Sequence, residues 1–151
     1  MRYSVIGILF LILTACGGPR ASVKVHFLSQ AETNDGRALP MHIVPVNEVL
    51  RHKLETISAE DWFDGDEADN LTGIKKRVWR GAQEEIIQME RRDSKNDFVV
   101  VVDFAGVDNA SQQKLIIGSQ YYKAKDIYVV VSKDRMRIVS KDVFNDYMKG
   151  N

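Results

Sequence analysis

Apolar residues alternate with polar ones in many short segments of the chain. Val23, Val25 and Phe27 alternate with Lys24 and His26, which is the period-two pattern of a strand with one buried face. Further strand-like segments, separated by turn signals, cover residues 41–46, 74–80, 84–91, 98–104, 114–117, 127–131 and 136–139. Short strands at intervals of roughly 8–12 residues predict an all-β sandwich or barrel.

One region departs from the strand pattern and predicts a short helical insertion. Leu50, Leu54 and Ile57 recur at positions i, i+4 and i+7 behind Asn47, a residue that commonly starts helices. A second helical turn is predicted over residues 58–63, where the spacing resembles a capping box. The insertion therefore interrupts the series of strands once.

Two later segments lead to opposite predictions about packing. Residues 98–104 are apolar almost without interruption, which indicates a central strand buried on both faces. Residues 143–148 are interpreted as a fraying terminal turn, and their removal should be tolerated.

The start of the chain has the pattern of a secretory signal. Residues 5–13 form an apolar run far shorter than the roughly 20 residues that a membrane-spanning helix needs, but of the right length for a signal-peptide core. Residues 13–16 then read Leu-Thr-Ala-Cys, which resembles a bacterial lipobox. The resemblance implies that the Cys16 thiol is diacylated and that Cys16 becomes the lipidated N-terminus after cleavage.

These features divide the chain into three parts. We predict a lipoprotein signal peptide at residues 1–15, a lipidated tether at residues 16–22 and a single β domain at residues 23–151. A chain of 151 residues suits one such domain. Gly17 after the cysteine favours the outer membrane, by analogy with the sorting rule of enteric bacteria. The alternative is an ordinary secretory signal that a cysteine happens to follow.

Composition and charge argue against several functions. Lys+Arg 21 balance Asp+Glu 21, whereas a nucleic-acid binder should carry a basic excess. The three histidines lack metal-ligand spacing, and His26 and His42 are predicted on the polar faces of neighbouring strands. The only cysteine is assigned to lipid, and no Gly-rich phosphate loop occurs. We therefore predict no cofactor, no metal site, no nucleic-acid binding and no enzymatic activity.

Residues 75–80 form a basic segment that contains an aromatic residue, a combination that can indicate a binding surface. In a chain of zero net charge it is better interpreted as an exposed strand face. Glu84 and Glu85 are predicted to balance it from the opposite strand.

Several segments together resemble a known family. They are the strand at residues 23–27, the Asn-Asp-Gly-Arg-Ala-Leu-Pro connection at 34–40, the strand at 41–46, the aromatic helical piece through 61–63 and the strand at 99–104. In this order they are similar to the TssJ (SciN-type) outer-membrane lipoproteins of type VI secretion systems. The resemblance implies a transthyretin-like β-sandwich with a short helical insertion, lipid-anchored at the periplasmic face of the outer membrane. It also implies a structural role, in which the domain binds the periplasmic domain of a TssM-type inner-membrane protein within a larger envelope complex.

The resemblance also implies a site. In that family the loop between the first two strands is a principal partner contact, which corresponds here to residues 30–39, and the predicted contact residues are Asn34, Asp35, Gly36, Arg37 and Leu39. Independently of the family, this polar connection is longer than a hairpin needs, and such loops are often functional. A solvated loop without a partner is the alternative.

Two other functions remain open at this point. A pilotin, or another chaperone-like periplasmic lipoprotein, would bind a helix of a secretin or another envelope component in an apolar groove. An anchored hydrolase would need a cleft lined with convergent polar residues, which the strand pattern does not predict.

Overall fold

The strands pair into two four-stranded sheets. The computed structural model describes residues 22–90, 97–121 and 124–150. In chain order its elements are β1 Ser22–Ser29, β2 Leu39–Val46, α1 Glu48–Thr56, α2 Ala59–Asp64, α3 Glu67–Asn70, β3 Lys75–Trp79, β4 Gln83–Glu90, β5 Asp97–Val102, β6 Lys114–Ile117, β7 Asp126–Val131, β8 Met136–Val139 and α4 Lys141–Lys149. One sheet has the order β4-β1-β7-β8 and the other β3-β2-β5-β6, and the side chains between them form the core. The predicted mainly β sandwich with a short helical insertion is confirmed.

Strand β1 lies inside its sheet and has neighbours on both sides. It pairs antiparallel with β4, starting at Ser22 opposite Glu90, and parallel with β7. Val23, Val25 and Phe27 are fully buried between the sheets, as their alternation predicts. The strand begins at Ser22, one residue before the predicted start of the domain.

Strand β5 is buried on both faces because the helical insertion covers its outer side. Val99 and Val101 point away from the sandwich core and pack with Leu54 of α1 and Trp62 of α2. Both helices begin with capping residues: the Asn47 side chain accepts a hydrogen bond from the Leu50 amide, and Ser58 does the same for Asp61. Burial of both faces explains why this strand is apolar without alternation.

The two strand histidines do not lie on neighbouring strands, so that prediction is wrong. His26 is on β1 and His42 on β2, in different sheets, and each ring packs beneath a helix. The Trp62 indole Nε1–H donates to Nδ1 of His42 over 3.2 Å. Burial lowers the pKa of His42, which favours the neutral imidazole that this hydrogen bond needs.

Strands β3 and β4 also differ from expectation, because they belong to different sheets. The turn at residues 80–82 crosses from one sheet to the other instead of closing a hairpin. Of the two predicted glutamates, Glu85 contacts the basic strand: it accepts from Arg77 Nε at 2.5 Å and from Trp79 Nε1 at 3.1 Å. The two edge strands are therefore joined by side chains and not by a backbone ladder.

The C-terminal segment is a packed helix, and its interpretation as a fraying turn is wrong. Ser140 caps α4, and Phe144 is only 2% exposed. The Phe144 ring packs on Leu28 and Val130, which point outward from the β1 side of the sandwich. One buried aromatic residue thus fixes the helix against the sheet, and removal of the segment would expose that surface.

We expect Phe144→Ala to lower the free energy of unfolding by about 3 kcal/mol, because it leaves a cavity between α4 and the sheet. Val143→Ala is the matched control: Val143 is 42% exposed on the same helix, and its loss should cost less than about 0.5 kcal/mol. Urea denaturation of the purified proteins measures both values. Equal effects of the two substitutions would mean that α4 does not pack on the sheet.

Candidate functional site

The predicted contact loop lies at the end of the sandwich opposite to the point where the chain enters it. Cys16, the predicted lipidation site, is outside the described residues and precedes Ser22 by six positions. From Ser22 the strand β1 runs to Ser29, which spans about 23 Å at the usual rise per residue. We call the far end, formed by residues 30–38, 80–82 and 132–135, the distal end.

The loop makes an unusual local turn at the residues that the sequence singled out. Asn34, Asp35 and Gly36 have φ values of 53°, 52° and 72°. Asn, Asp and Gly are the residue types that tolerate this left-handed region best, since most other side chains clash there. The Asn-Asp-Gly sequence is therefore what allows the chain to turn within residues 30–38.

Two buried polar residues hold the turn in place. The Thr33 hydroxyl accepts from the Gln30 amide and donates to the Val131 carbonyl, both at 2.8 Å. Asn34 is only 4% exposed: its Oδ1 accepts from the Ala105 amide and its Nδ2 donates to the Ala38 carbonyl, both at 2.7 Å. The loop is thus fixed to two segments that lie far from it in sequence.

The hairpin between β7 and β8 also supports the loop. The Asn34 amide donates to the Lys133 carbonyl at 3.0 Å. Lys133 Nζ pairs with Asp35 Oδ1 at 2.8 Å, and this hydrogen bond and charge raise the pKa of Lys133. No local pattern in the sequence indicates Thr33 or Lys133, because their partners are about a hundred residues away.

The five predicted contact residues have different environments. Asp35, Gly36 and Arg37 are exposed at the distal end. Asn34 is buried beneath them, and Leu39 is 0% exposed in the core, opposite Trp79 in the β2–β3 ladder. The structure thus brings three of the five to the surface, while Asn34 and Leu39 support the loop from below.

His26, a candidate polar residue on β1, has its partners within the fold. His26 Nε2 lies 3.0 Å from Asp126 Oδ1, a hydrogen bond that lowers the pKa of Asp126. The His26 ring stacks on Tyr128 with centroids 4.7 Å apart. This pair ties β1 to β7, so its hydrogen bond and its ring face are engaged within the fold.

Residues 22–90, 97–121 and 124–150 contain no group of three or more His, Cys, Asp or Glu residues placed to hold a metal ion. Over the same ranges, none of the helices has the length and apolar character required to cross a bilayer.

Solved structures with a similar fold are found, although sequence comparison finds none. No protein-family profile matches the chain, and no curated protein sequence does. A chain of a structure described as a type VI membrane complex superposes with a TM-score of 0.68 and 11% identity over 81% of this chain and 100% of its own length. A chain of the structure of the T6SS protein TssM C-terminal domain from EAEC gives 0.65 and 10% identity over 79% and 98%. The T6SS lipoprotein TssJ1 from Pseudomonas aeruginosa gives 0.62 and 10% identity over 82% and 98%.

These likenesses span most of both chains in each comparison. At 10–11% identity they establish a shared fold, and they confirm at that level the resemblance to TssJ lipoproteins that the sequence indicates. The β-sandwich of this chain is therefore of the type found in those structures.

We expect Asn34→Ala to lower the free energy of unfolding by about 2 kcal/mol, because it leaves the Ala105 amide and the Ala38 carbonyl without their partner. The neighbouring substitution Asp35→Asn removes only an exposed ion pair and should leave the free energy of unfolding nearly unchanged. Urea denaturation measures the energies, and amide hydrogen exchange of residues 33–38 reports whether the loop has loosened. Unchanged exchange in Asn34→Ala would contradict the anchoring role.

Proposed function

We propose that the protein is a structural lipoprotein of a type VI secretion membrane complex. In this proposal the acylated Cys16 holds it at the periplasmic face of the outer membrane. The exposed residues Asp35, Gly36 and Arg37 bind the periplasmic domain of a TssM-type inner-membrane protein. Residues 23–151 act as one binding domain, and the role involves no catalysis.

The observation that carries the proposal is the separation of tether and loop. The chain enters the sandwich at Ser22, and the exposed turn is about 23 Å away at the other end of β1. A lipid anchor before Ser22 would therefore leave the loop facing away from the bilayer. A protein that links an outer-membrane anchor to a partner rooted in the inner membrane needs this arrangement.

The fixed backbone of the contact loop favours binding with little loss of conformational entropy. Thr33 and Asn34 fix the backbone through buried hydrogen bonds, so the exposed side chains start from a defined position. A preorganised loop loses less conformational freedom on association than a mobile one does. The fold shared with the TssJ1 lipoprotein and with the type VI membrane complex chain is the second support.

The binding role predicts that a change restricted to the exposed turn weakens partner binding. We expect the double substitution Asp35→Gly with Arg37→Ser to weaken binding of the TssM-type periplasmic domain at least about tenfold, because such exposed contacts sit at the centre of the proposed interface. Glycine accepts the positive φ at position 35, so the turn itself should be kept. Isothermal titration calorimetry measures the affinity.

The matched control is the double substitution Glu48→Ser with Lys125→Ser, which removes one exposed acid and one exposed base near the tether end. It should bind like the wild type. If both double variants bind equally well, the loop is not the contact. If the wild type instead captures a secretin and not the TssM-type domain, the pilotin alternative is correct.

The anchoring role predicts the location of the protein in fractionated cells. Cys16→Ser removes the acylated thiol and should move the protein from the membrane fraction to the soluble periplasmic fraction, since several buried acyl chains give stable attachment. Immunoblotting of the separated fractions reports the change, and Ser22→Ala serves as a control at the end of the tether. A Cys16→Ser protein that stays with the membranes would disprove lipid anchoring.

A further inference from the structure

Arg80 lies at the distal end beside the proposed contact loop. Leu39 opposite Trp79 is the last pair of the β2–β3 ladder at this end. Arg80 is the next residue after Trp79, and Arg37 precedes Leu39 by two positions, so both arginines extend from the same end of the same ladder. Both are exposed.

These two arginines differ from the other cations nearby. On β3, Lys76 pairs with Asp69 and Arg77 with Glu85. At the distal end, both cations of the β7–β8 hairpin are also paired, Lys133 with Asp35 and Arg135 with Asp134. Among residues 22–90, 97–121 and 124–150, no carboxylate is placed within ion-pair distance of Arg37 or Arg80.

The backbone beneath both arginines is fixed. Ser29, the last residue of β1, is fully buried, and its hydroxyl donates to the Gly81 carbonyl at 2.6 Å and accepts from the Gln83 amide at 3.1 Å. The turn that carries Arg80 is therefore anchored to the residue from which the contact loop starts. The Asn34 side chain fixes the loop that carries Arg37, so both arginines extend from anchored backbone.

The surface around them is open. Each arginine has a glycine as its neighbour in sequence: Gly36 precedes Arg37, and Gly81 follows Arg80. Both glycines have positive φ values, 72° for Gly36 and 65° for Gly81. A Cβ placed on either glycine would meet no heavy atom within 4 Å. A partner backbone can therefore approach both turns closely.

We propose that Arg80 joins Arg37 in a two-arginine subsite that binds carboxylate side chains of an acidic segment in the partner. This inference rests on the proposed function and names the chemistry of the partner surface. Guanidinium groups match carboxylates in two parallel hydrogen bonds, and two like charges carried at the same end of one ladder favour binding of anions there. The bilayer is not their counter-ion, because about 23 Å of strand separates them from the tether end, more than twice the Debye length of about 8 Å at physiological salt.

The test compares Arg80→Gln, Arg37→Gln and the double variant in the full-length lipoprotein, purified in detergent and titrated with the TssM-type periplasmic domain. We expect each single substitution to lower the affinity about fivefold at low salt. The double variant should lose most of the salt dependence of association, because complementary charges at an interface steer the approach of the partner and salt screens them. Neither arginine has an ion-pair partner within the described residues, so the melting temperatures should stay unchanged.

Lys75→Gln is the matched control. Lys75 is an exposed cation on the same strand as the basic residues next to Arg80, but at the end near the tether. It should bind like the wild type with the same salt dependence. Arg80→Lys should keep most of the salt dependence and recover only part of the affinity, because lysine keeps the charge without the planar fork.

The outcomes separate the two proposals. If the wild type binds and Arg80→Gln matches it in affinity and salt dependence, the subsite is wrong and the proposed function stands. If Lys75→Gln weakens binding as much as Arg80→Gln does, the effect comes from overall charge, and the subsite is again wrong. If the wild type does not bind the TssM-type domain, the proposed function itself fails.

Discussion

The central position of β1 in its sheet is the constraint on which the rest of the structure depends. All eight residues of β1 pair with β4, and six of them also pair with β7. Its two ends lead to the predicted tether and to the contact loop. In the proposed function, any pull between anchor and partner acts along this strand, and the perpendicular hydrogen bonds of its antiparallel pairing with β4 resist together and not one by one. The buried residues Val23, Val25 and Phe27 add the core to that resistance.

The sequence predicted most of the elements but not how they are arranged in space. The period-two pattern located β1, and unbroken apolarity located β5 correctly because helices cover its second face. The pattern failed at α4, where a single buried aromatic residue, Phe144, does the packing and the remaining apolar side chains are more exposed. It also failed at the turn of residues 80–82, because a turn that crosses between sheets has the same local signals as a hairpin.

The candidate site was predictable in position but not in its internal structure. The Asn-Asp-Gly sequence indicated a turn, and its three positive φ values follow from those residue types. Whether Asn34 is exposed or buried depends on Ala105, 71 residues away, and the support of Thr33 by Val131 spans 98 residues. Leu39 was assigned to the partner because it adjoins the loop, whereas its opposite neighbour Trp79 places it in the core. Long-range contacts of this kind leave no trace in a single local pattern.

The other surfaces of the sandwich bear on the proposal that a partner binds at the distal end. Part of the outer face of one sheet is covered by α1 and α2, and part of that of the other by α4, whereas Val78 on β3 and Ile86 on β4 stay exposed. Edge strand β3 carries the paired cations Lys76 and Arg77, and charged edges discourage the addition of another strand. At the distal end, by contrast, the backbone is fixed and its exposed groups already occupy defined positions. Binding there requires neither displacement of a packed helix nor extension of a sheet, so its main cost is the removal of water from a few charged side chains. That cost is lowest where the partner supplies the missing opposite charge.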